Sequence, residues 1–202
     1  KNFIMNDLIQ IIKTLDSEDL KTINDHIDTL DFTQNTVFGD KGSSRVDSEW
    51  RTSTGTTLND DNDVTCLFHK KINAALVEYK ERIVEISDNF NYYPVPGGVG
   101  TDSHREGIQI LEYTPNQEYK FHHDAATNPN IKEYHRKISV IVYLTDKFTG
   151  GHTTFTHCKY RPEPGHALIF PSNWCYPHSG APVIAGKKRI AVTWYYVNVR
   201  DS

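Results

Sequence analysis

Beyond about Gly107 the chain breaks into short apolar or alternating runs, and this limits the possible fold more than any other feature. The runs are Ile108–Tyr113, Tyr119–His122, Ile138–Leu144, Thr153–Phe155, Ala167–Phe170 and Ile190–Val199. Turn signals separate them: Pro115-Asn116, Asn128-Pro129, Gly150-Gly151, Pro164-Gly165 and Gly186. Strands this short bury their apolar residues only by pairing in a sheet packed on a second layer, which predicts a sandwich or jelly roll.

The first half reads differently. Ile4, Leu8, Ile11, Ile12 and Leu15 fall on one face of a helix. Ser17 then reads as an N-cap for a second helix, with Glu18 and Asp19 in its first turn and Leu20, Ile23, Ile27 and Leu30 along it. Thr33–Phe38 is expected as a short strand, Gly39–Ser48 as a mobile polar loop, and about Val64 to Ile83 as a third helix. The expected organisation is one domain over 1–202. A helical part covers 1–105, with a mobile loop near 39–55, and packs on a β core over 106–202.

Composition narrows the function. The net charge is −4 with acidic and basic residues interspersed, so no basic face for nucleic acid is expected. No apolar run reaches membrane-spanning length, and the opening residues do not read as a signal peptide. Three widely spaced cysteines form no CxxC pair, which argues against structural zinc and for reduced thiols. A cytoplasmic setting is the expectation; oligomeric state is not legible.

Ten histidines make chance pairs common, so spacing must carry any metal argument. His122-His123-Asp124 is an HxD pair at a strand end, where residues i and i+2 point the same way and converge on one cation. His178, ahead of the last β runs, is the best third ligand. Two histidines and a carboxylate on one face of a metal form the facial triad of non-haem iron(II) oxygenases. His26-Ile27-Asp28 has the same spacing in a helix, where the two side chains diverge by roughly 200°. His104-Arg105-Glu106 lacks a suitable third partner. Taken alone, His122 and Asp124 fit a hydrogen-bonded pair at a strand end better than a metal site.

Four further blocks shift that balance. They are Ile110 through Asp124; Val140–Asp146 with Gly150-Gly151-His152-Thr153-Thr154-Phe155; Pro164–Phe170; and His178-Ser179-Gly180 through Gly186, Lys188 and Trp194. In this order they resemble the prolyl 4-hydroxylase branch of the Fe(II)/2-oxoglutarate-dependent dioxygenases, with His152 where that branch usually carries Glu. Arg51-Thr52-Ser53-Thr54-Gly55-Thr56-Thr57-Leu58 resembles the RTS.G..L segment of prolyl 4-hydroxylases, and the helix near Ser17 resembles their opening helix.

The resemblance implies a mainly β fold: a double-stranded β-helix, or jelly roll, with N-terminal helices packed on it. It implies Fe(II) on His122, Asp124 and His178, with 2-oxoglutarate, O2 and ascorbate. Oxidative decarboxylation of 2-oxoglutarate to succinate and carbon dioxide would drive hydroxylation of a C–H bond. The basic residue ten positions after His178 is Lys188, expected to face inward and receive the distal carboxylate; Arg189 is its alternative. Tyr113 and Thr153 would join that pocket. Tyr119, Arg136, Trp194 and Arg51 would meet a proline-containing peptide, and the loop near Arg51–Ser53 would close over it. Other substrates, namely another protein side chain, a free amino acid or a small metabolite, remain open. So does a jelly-roll module that holds metal without turnover, although Tyr113 and Lys188 argue against it.

Overall fold

The computed structural model describes residues 4–35, 37–38, 44–45, 49–58, 62–92, 103–125 and 134–198. Two α-helices, α1 (Ser17–Ile27) and α2 (Asp63–Ile86), back a mainly β body. The strands of its first half are β1 (Gln10–Lys13), β2 (Thr33–Gln34), β3 (Val37–Phe38), β4 (Ser44–Arg45) and β5 (Thr54–Thr57). The middle of the chain supplies β6 (Ser103–Arg105), β7 (Gln109–Tyr113), β8 (Tyr119–His122), β9 (Tyr134–Tyr143) and β10 (Phe148–Gly150). The rest are β11 (Thr153–Phe155), β12 (Lys159–Tyr160), β13 (His166–Pro171), β14 (His178–Gly180), β15 (Val183–Gly186) and β16 (Lys188–Asn198).

The large sheet runs β1-β13-β9-β16-β7-β5-β2, with β6 also on β16; the smaller sheet runs β12-β11-β14-β8. This is the jelly-roll core with N-terminal helices. Register sorts the large sheet's residues. Lys188 pairs with Tyr113, Ile190 with Tyr143 and Leu111, Val192 with Ile141, and Trp194 with Ser139. Paired residues share a face, so this row looks inward. The alternate residues, among them Arg189, Val140, Val142 and Ala191, face the helices, and all four are buried. With both faces covered, the central strands read as continuous apolar runs.

The long helix supplies much of that cover. Phe68, Ile72, Leu76, Tyr79 and Ile83 recur at helical spacing and are at most 1% exposed. The Tyr79 hydroxyl donates to the Leu8 carbonyl at 2.9 Å, which ties α2 to the N-terminal segment.

Three local expectations are corrected. Residues 4–15 do not form a helix: Met5–Leu8 is a single 3-10 turn, and Gln10–Lys13 is an edge strand on β13. The 39% exposure of Ile11 beside fully buried Ile12 shows the two-residue period that replaces the helical one. Backbone pairing to an open sheet edge outweighs propensity here. The cap of α1 is Asp16, not Ser17, because its carboxylate accepts from the Glu18 and Asp19 amides at 2.9 and 2.8 Å. The expected strand Thr33–Phe38 is two, β2 on β5 and β3 on β4. Most of Gly39–Ser48 lies outside the described residues. No helix is long and apolar enough to cross a membrane among the described residues.

The helical layer is pinned through Arg189. Its guanidinium donates to Glu112 at 2.7 Å, Asn24 at 3.0 Å and Asp28 at 2.7 Å. Removing a buried cation leaves the Glu112 carboxylate only the half-exposed Lys187 ammonium at 3.2 Å, so Arg189→Ala should cost about 3 kcal/mol. Asp28 is exposed, so Asp28→Ala should cost less than about 1 kcal/mol. Urea unfolding midpoints of the two variants check this; equal losses would mean the network does not anchor the sheet to α1.

Candidate metal centre

The smaller sheet aligns the site by pairing. Phe155 stands opposite His178, and His178 opposite His122. The next row is Thr153, Gly180 and Tyr119. Asp124 follows β8 by two residues and turns toward the same point. One ligand atom from each of His122, Asp124 and His178 lies within 4.8 Å of the others. Nε2 of His122 is 3.3 Å from Asp124 Oδ1, and Nε2 of His178 is 3.6 Å from Oδ2. Asp124 and His178 are buried, and His122 is half-buried.

Hydrogen bonds set the tautomers. His122 Nδ1 lies 2.7 Å from the Lys120 carbonyl, and His178 Nδ1 lies 3.1 Å from the Tyr176 carbonyl. A carbonyl only accepts, so each Nδ1 carries the proton and each Nε2 lone pair faces the centre. Burial alone would raise the Asp124 carboxyl. The His178 and His122 imidazoles and the Ser139 hydroxyl overcome it and hold the group far below the usual carboxylate range. Burial pushes the His178 imidazole down, against the pull of Asp124. Two imidazoles and one carboxylate thus meet at a point, and this donor set fits iron(II).

A buried cation lies beside this centre. Lys188 is 1% exposed and packs its ammonium 5.2 Å from the centroids of both the Tyr113 and Tyr143 rings. Its one hydrogen bond among the described residues goes to the Gly151 carbonyl at 2.7 Å, and no carboxylate there pairs with it. An ammonium has three donors, so two remain for an anion. Burial, with Arg161 nearby, pushes Lys188 down to about 7. The turn that supplies the carbonyl requires glycine: Gly150 and Gly151 both have positive φ, and a Cβ on Gly151 would sit 3.2 Å from Lys188 Cδ. Thr153 bonds the Tyr143 hydroxyl at 2.7 Å. A Cβ on Gly180 would be 3.9 Å from the Tyr113 hydroxyl, so the Tyr113–Lys188 pocket opens within two residues of His178. Arg189 points to the opposite face and is taken up by Glu112, Asn24 and Asp28.

The remaining expected residues form a wall. Tyr119 stacks on His122 with ring centroids 3.7 Å apart, and the Arg51 guanidinium lies 4.8 Å from the Tyr119 ring centroid. Burial pushes the Tyr119 hydroxyl up to about 12. Arg136 stacks 3.7 Å over Trp194 and grips Glu106 through bonds of 2.6 and 2.8 Å. Sequence reasoning missed Glu106, Tyr143 and Ser139. Ser139 left one trace, a polar residue inside the apolar run Ile138–Leu144, but its partner was visible only in three dimensions.

Fold and site together are a jelly roll that gathers two histidines and an aspartate at one point. Residues 108–197 match the family model described as the 2OG-Fe(II) oxygenase superfamily. Prolyl 4-hydroxylase 5 of Arabidopsis thaliana is 29% identical over 195 residues, 82% of this chain and 60% of that one. A protein of Acanthamoeba polyphaga mimivirus that also bears a prolyl 4-hydroxylase name is 36% identical over 107 residues, 45% of this chain and 44% of that one. The chain thus spans about half the length of these curated relatives. The viral collagen prolyl hydroxylase of Paramecium Bursaria Chlorella virus-1, solved as a 2OG complex, superposes with a TM-score of 0.65 at 20% identity, covering 94% of this chain and 96% of that one. A Trichoplax adhaerens prolyl hydroxylase, solved with a hypoxia inducible factor peptide fragment, gives 0.66 at 18% identity, covering 95% and 84%. At these identities the structures establish the shared fold.

Replacing Lys188 with Ala should weaken 2-oxoglutarate binding at least about 30-fold, since it removes a desolvated charge partner. Arg189→Ala should leave it within about threefold among folded molecules. Because unliganded Lys188 loses its proton above about pH 7, the dianion should bind tightest below that pH and progressively weaker above it. Calorimetry across pH measures both effects; the reverse ranking of the two variants would assign the anion to Arg189.

Proposed function

We propose that the chain is an Fe(II)- and 2-oxoglutarate-dependent dioxygenase that hydroxylates prolyl residues in a peptide or protein, acting as a single domain over 1–202. The observation that carries this reading is the convergence of His122, Asp124 and His178 beside Lys188, a buried cation without a carboxylate partner among the described residues. A metal centre alone suits many proteins. A metal centre with an adjacent receptor for a carboxylate suits a cosubstrate that chelates at one end and is anchored at the other.

In this reading Nε2 of His122, Nε2 of His178 and the Asp124 carboxylate hold iron(II). The bound metal with 2-oxoglutarate supplies O2 activation coupled to decarboxylation. Every other task belongs to the chain. Lys188 neutralises the distal carboxylate while Tyr113 and Thr153 line its pocket. The Phe155 and Phe170 rings, 5.6 and 4.8 Å from the His178 ring, keep water from that ligand. Tyr119, stacked on His122 and backed by Arg51, would form one wall of the peptide cleft. Trp194 under Arg136 would form another, with Arg136 fixed by Glu106 and not swinging in solvent.

The test is mass spectrometry of proline-rich and collagen-like peptides after incubation with the protein, iron(II), ascorbate and 2-oxoglutarate. One added oxygen on proline is the expected result, with succinate formed in proportion. Asp124→Ala should abolish both products. Succinate without peptide modification would redirect the assignment to another substrate, and no succinate under any condition would end it.

A further inference from the structure

Two serines lie behind the metal centre, in the core between strands, and the mechanism above does not use them. Ser139 is in the middle of β9 and Ser172 directly follows β13; each is 1% exposed. Ser139 Oγ is 2.7 Å from Asp124 Oδ2 and 2.9 Å from Ser172 Oγ. Ile138 and Val140, on either side of Ser139, and Phe170, two positions before Ser172, are apolar and buried. A hydroxyl in such a place is unfavourable unless it is bonded.

The direction of the chain of bonds follows from counting protons. The Ser139 hydroxyl is the donor to Asp124 Oδ2, because an ionised carboxylate only accepts. The single Ser139 proton therefore goes to Oδ2. Ser139 has none left for Ser172, so Ser172 donates to Ser139. The relay runs Ser172 to Ser139 to Asp124, each donor polarised by the next acceptor. Ser172 is itself stitched in: its amide donates to the Lys137 carbonyl at 3.0 Å, and its carbonyl accepts from the Ala125 amide at 2.8 Å, one residue past the ligand. Arg136 completes the frame with a 3.4 Å bond to the Asp124 carbonyl.

We propose that Ser139, oriented by Ser172, is a positioning residue for the metal centre: its bond to Oδ2 fixes the rotation of the Asp124 carboxylate, which sets Oδ1 3.3 Å from His122 Nε2 and Oδ2 3.6 Å from His178 Nε2. The proposal rests on reading His122, Asp124 and His178 as metal ligands. A carboxylate free to rotate offers both oxygens to the metal and takes up a position needed by other ligands. A carboxylate held at Oδ2 keeps a single orientation. Second-sphere donors of this kind typically affect metal affinity by about 10- to 100-fold.

The experiment titrates the metal-free protein with Mn(II), following unbound Mn(II) by its electron paramagnetic resonance signal, with no turnover required. Ser139→Ala should weaken Mn(II) binding by about 10- to 100-fold. Ser139→Thr, which keeps the hydroxyl, should restore binding to within about threefold of the parent. Ser172→Ala should fall between them, since it removes only the orienting donor. Co(II)-loaded Ser139→Ala should show weaker visible bands than Co(II)-loaded parent, as expected for a higher coordination number. Unchanged Mn(II) affinity in Ser139→Ala, or equal losses in Ser139→Ala and Ser139→Thr, would overturn the proposal. Should Ser139→Ala not fold, Ser172→Ala decides: a weakened affinity supports the relay and an unchanged one overturns it. Failure of the parent protein to bind Mn(II) would instead remove the metal-centre reading, and this proposal with it.

Discussion

The site depends on one cross-strand pairing, His178 of β14 opposite His122 of β8. These residues lie far apart in the chain, and only antiparallel register brings their imidazoles to a ring separation of 4.6 Å. A slip of one residue would turn either ring to the other face of the sheet. The neighbouring pairs reinforce the register, with Phe155 beyond His178 and Thr153 and Tyr119 flanking Gly180. Glycine at 180 leaves the space into which the Tyr113 hydroxyl points. The smaller sheet thus works as a template for a row of ligands and the large sheet as the floor beneath it.

Charge burial organises that floor. Lys188 and Arg189 are adjacent, both nearly inaccessible, and the pleat sends them to opposite faces. Arg189 finds two carboxylates and an amide on the helical side and becomes a structural tie. Lys188 finds two aromatic rings and one carbonyl, which leaves it under-compensated. Burial of an ammonium without a carboxylate is unfavourable, and the fold tolerates it where an anion completes the set. A structural tie and the proposed anion receptor therefore occupy two consecutive residues. The same logic holds around Asp124, whose charge is sustained by two imidazoles and a hydroxyl in a place where water is scarce.

Much of this was legible in one dimension. The change from helical to alternating periodicity near Gly107, the Gly150-Gly151 turn and the extent of α2 follow from short-range rules. The HxD spacing and its distance from His178 pointed to a metal, and inward alternation pointed to Lys188. Other features were hidden. Ile4 to Leu15 carries a helical pattern, yet it becomes a turn and a strand because β13 offers an edge. Asp16 precedes the helix it caps, with Ser17 beside it as an equally plausible cap in sequence. Ser139 reads as a weak spot in an apolar strand until Asp124 is placed over it, and Glu106, which reads as part of a false metal motif, turns out to hold Arg136.

The sequence by itself determined the local grammar: which segments pair and which coil, which turns need glycine, and which residue types are available to hold a cation or an anion. Periodicity and side-chain chemistry are local properties, so a linear reading reaches them. The tertiary structure alone decided partnership. It placed His122 against His178, gave Arg189 to the helices, set Lys188 among two rings and a carbonyl, and put a pair of hydroxyls behind one oxygen of Asp124. Those outcomes depend on register and on sheet-to-sheet packing, in which contacts form between residues many tens of positions apart, and no local pattern encodes such distances.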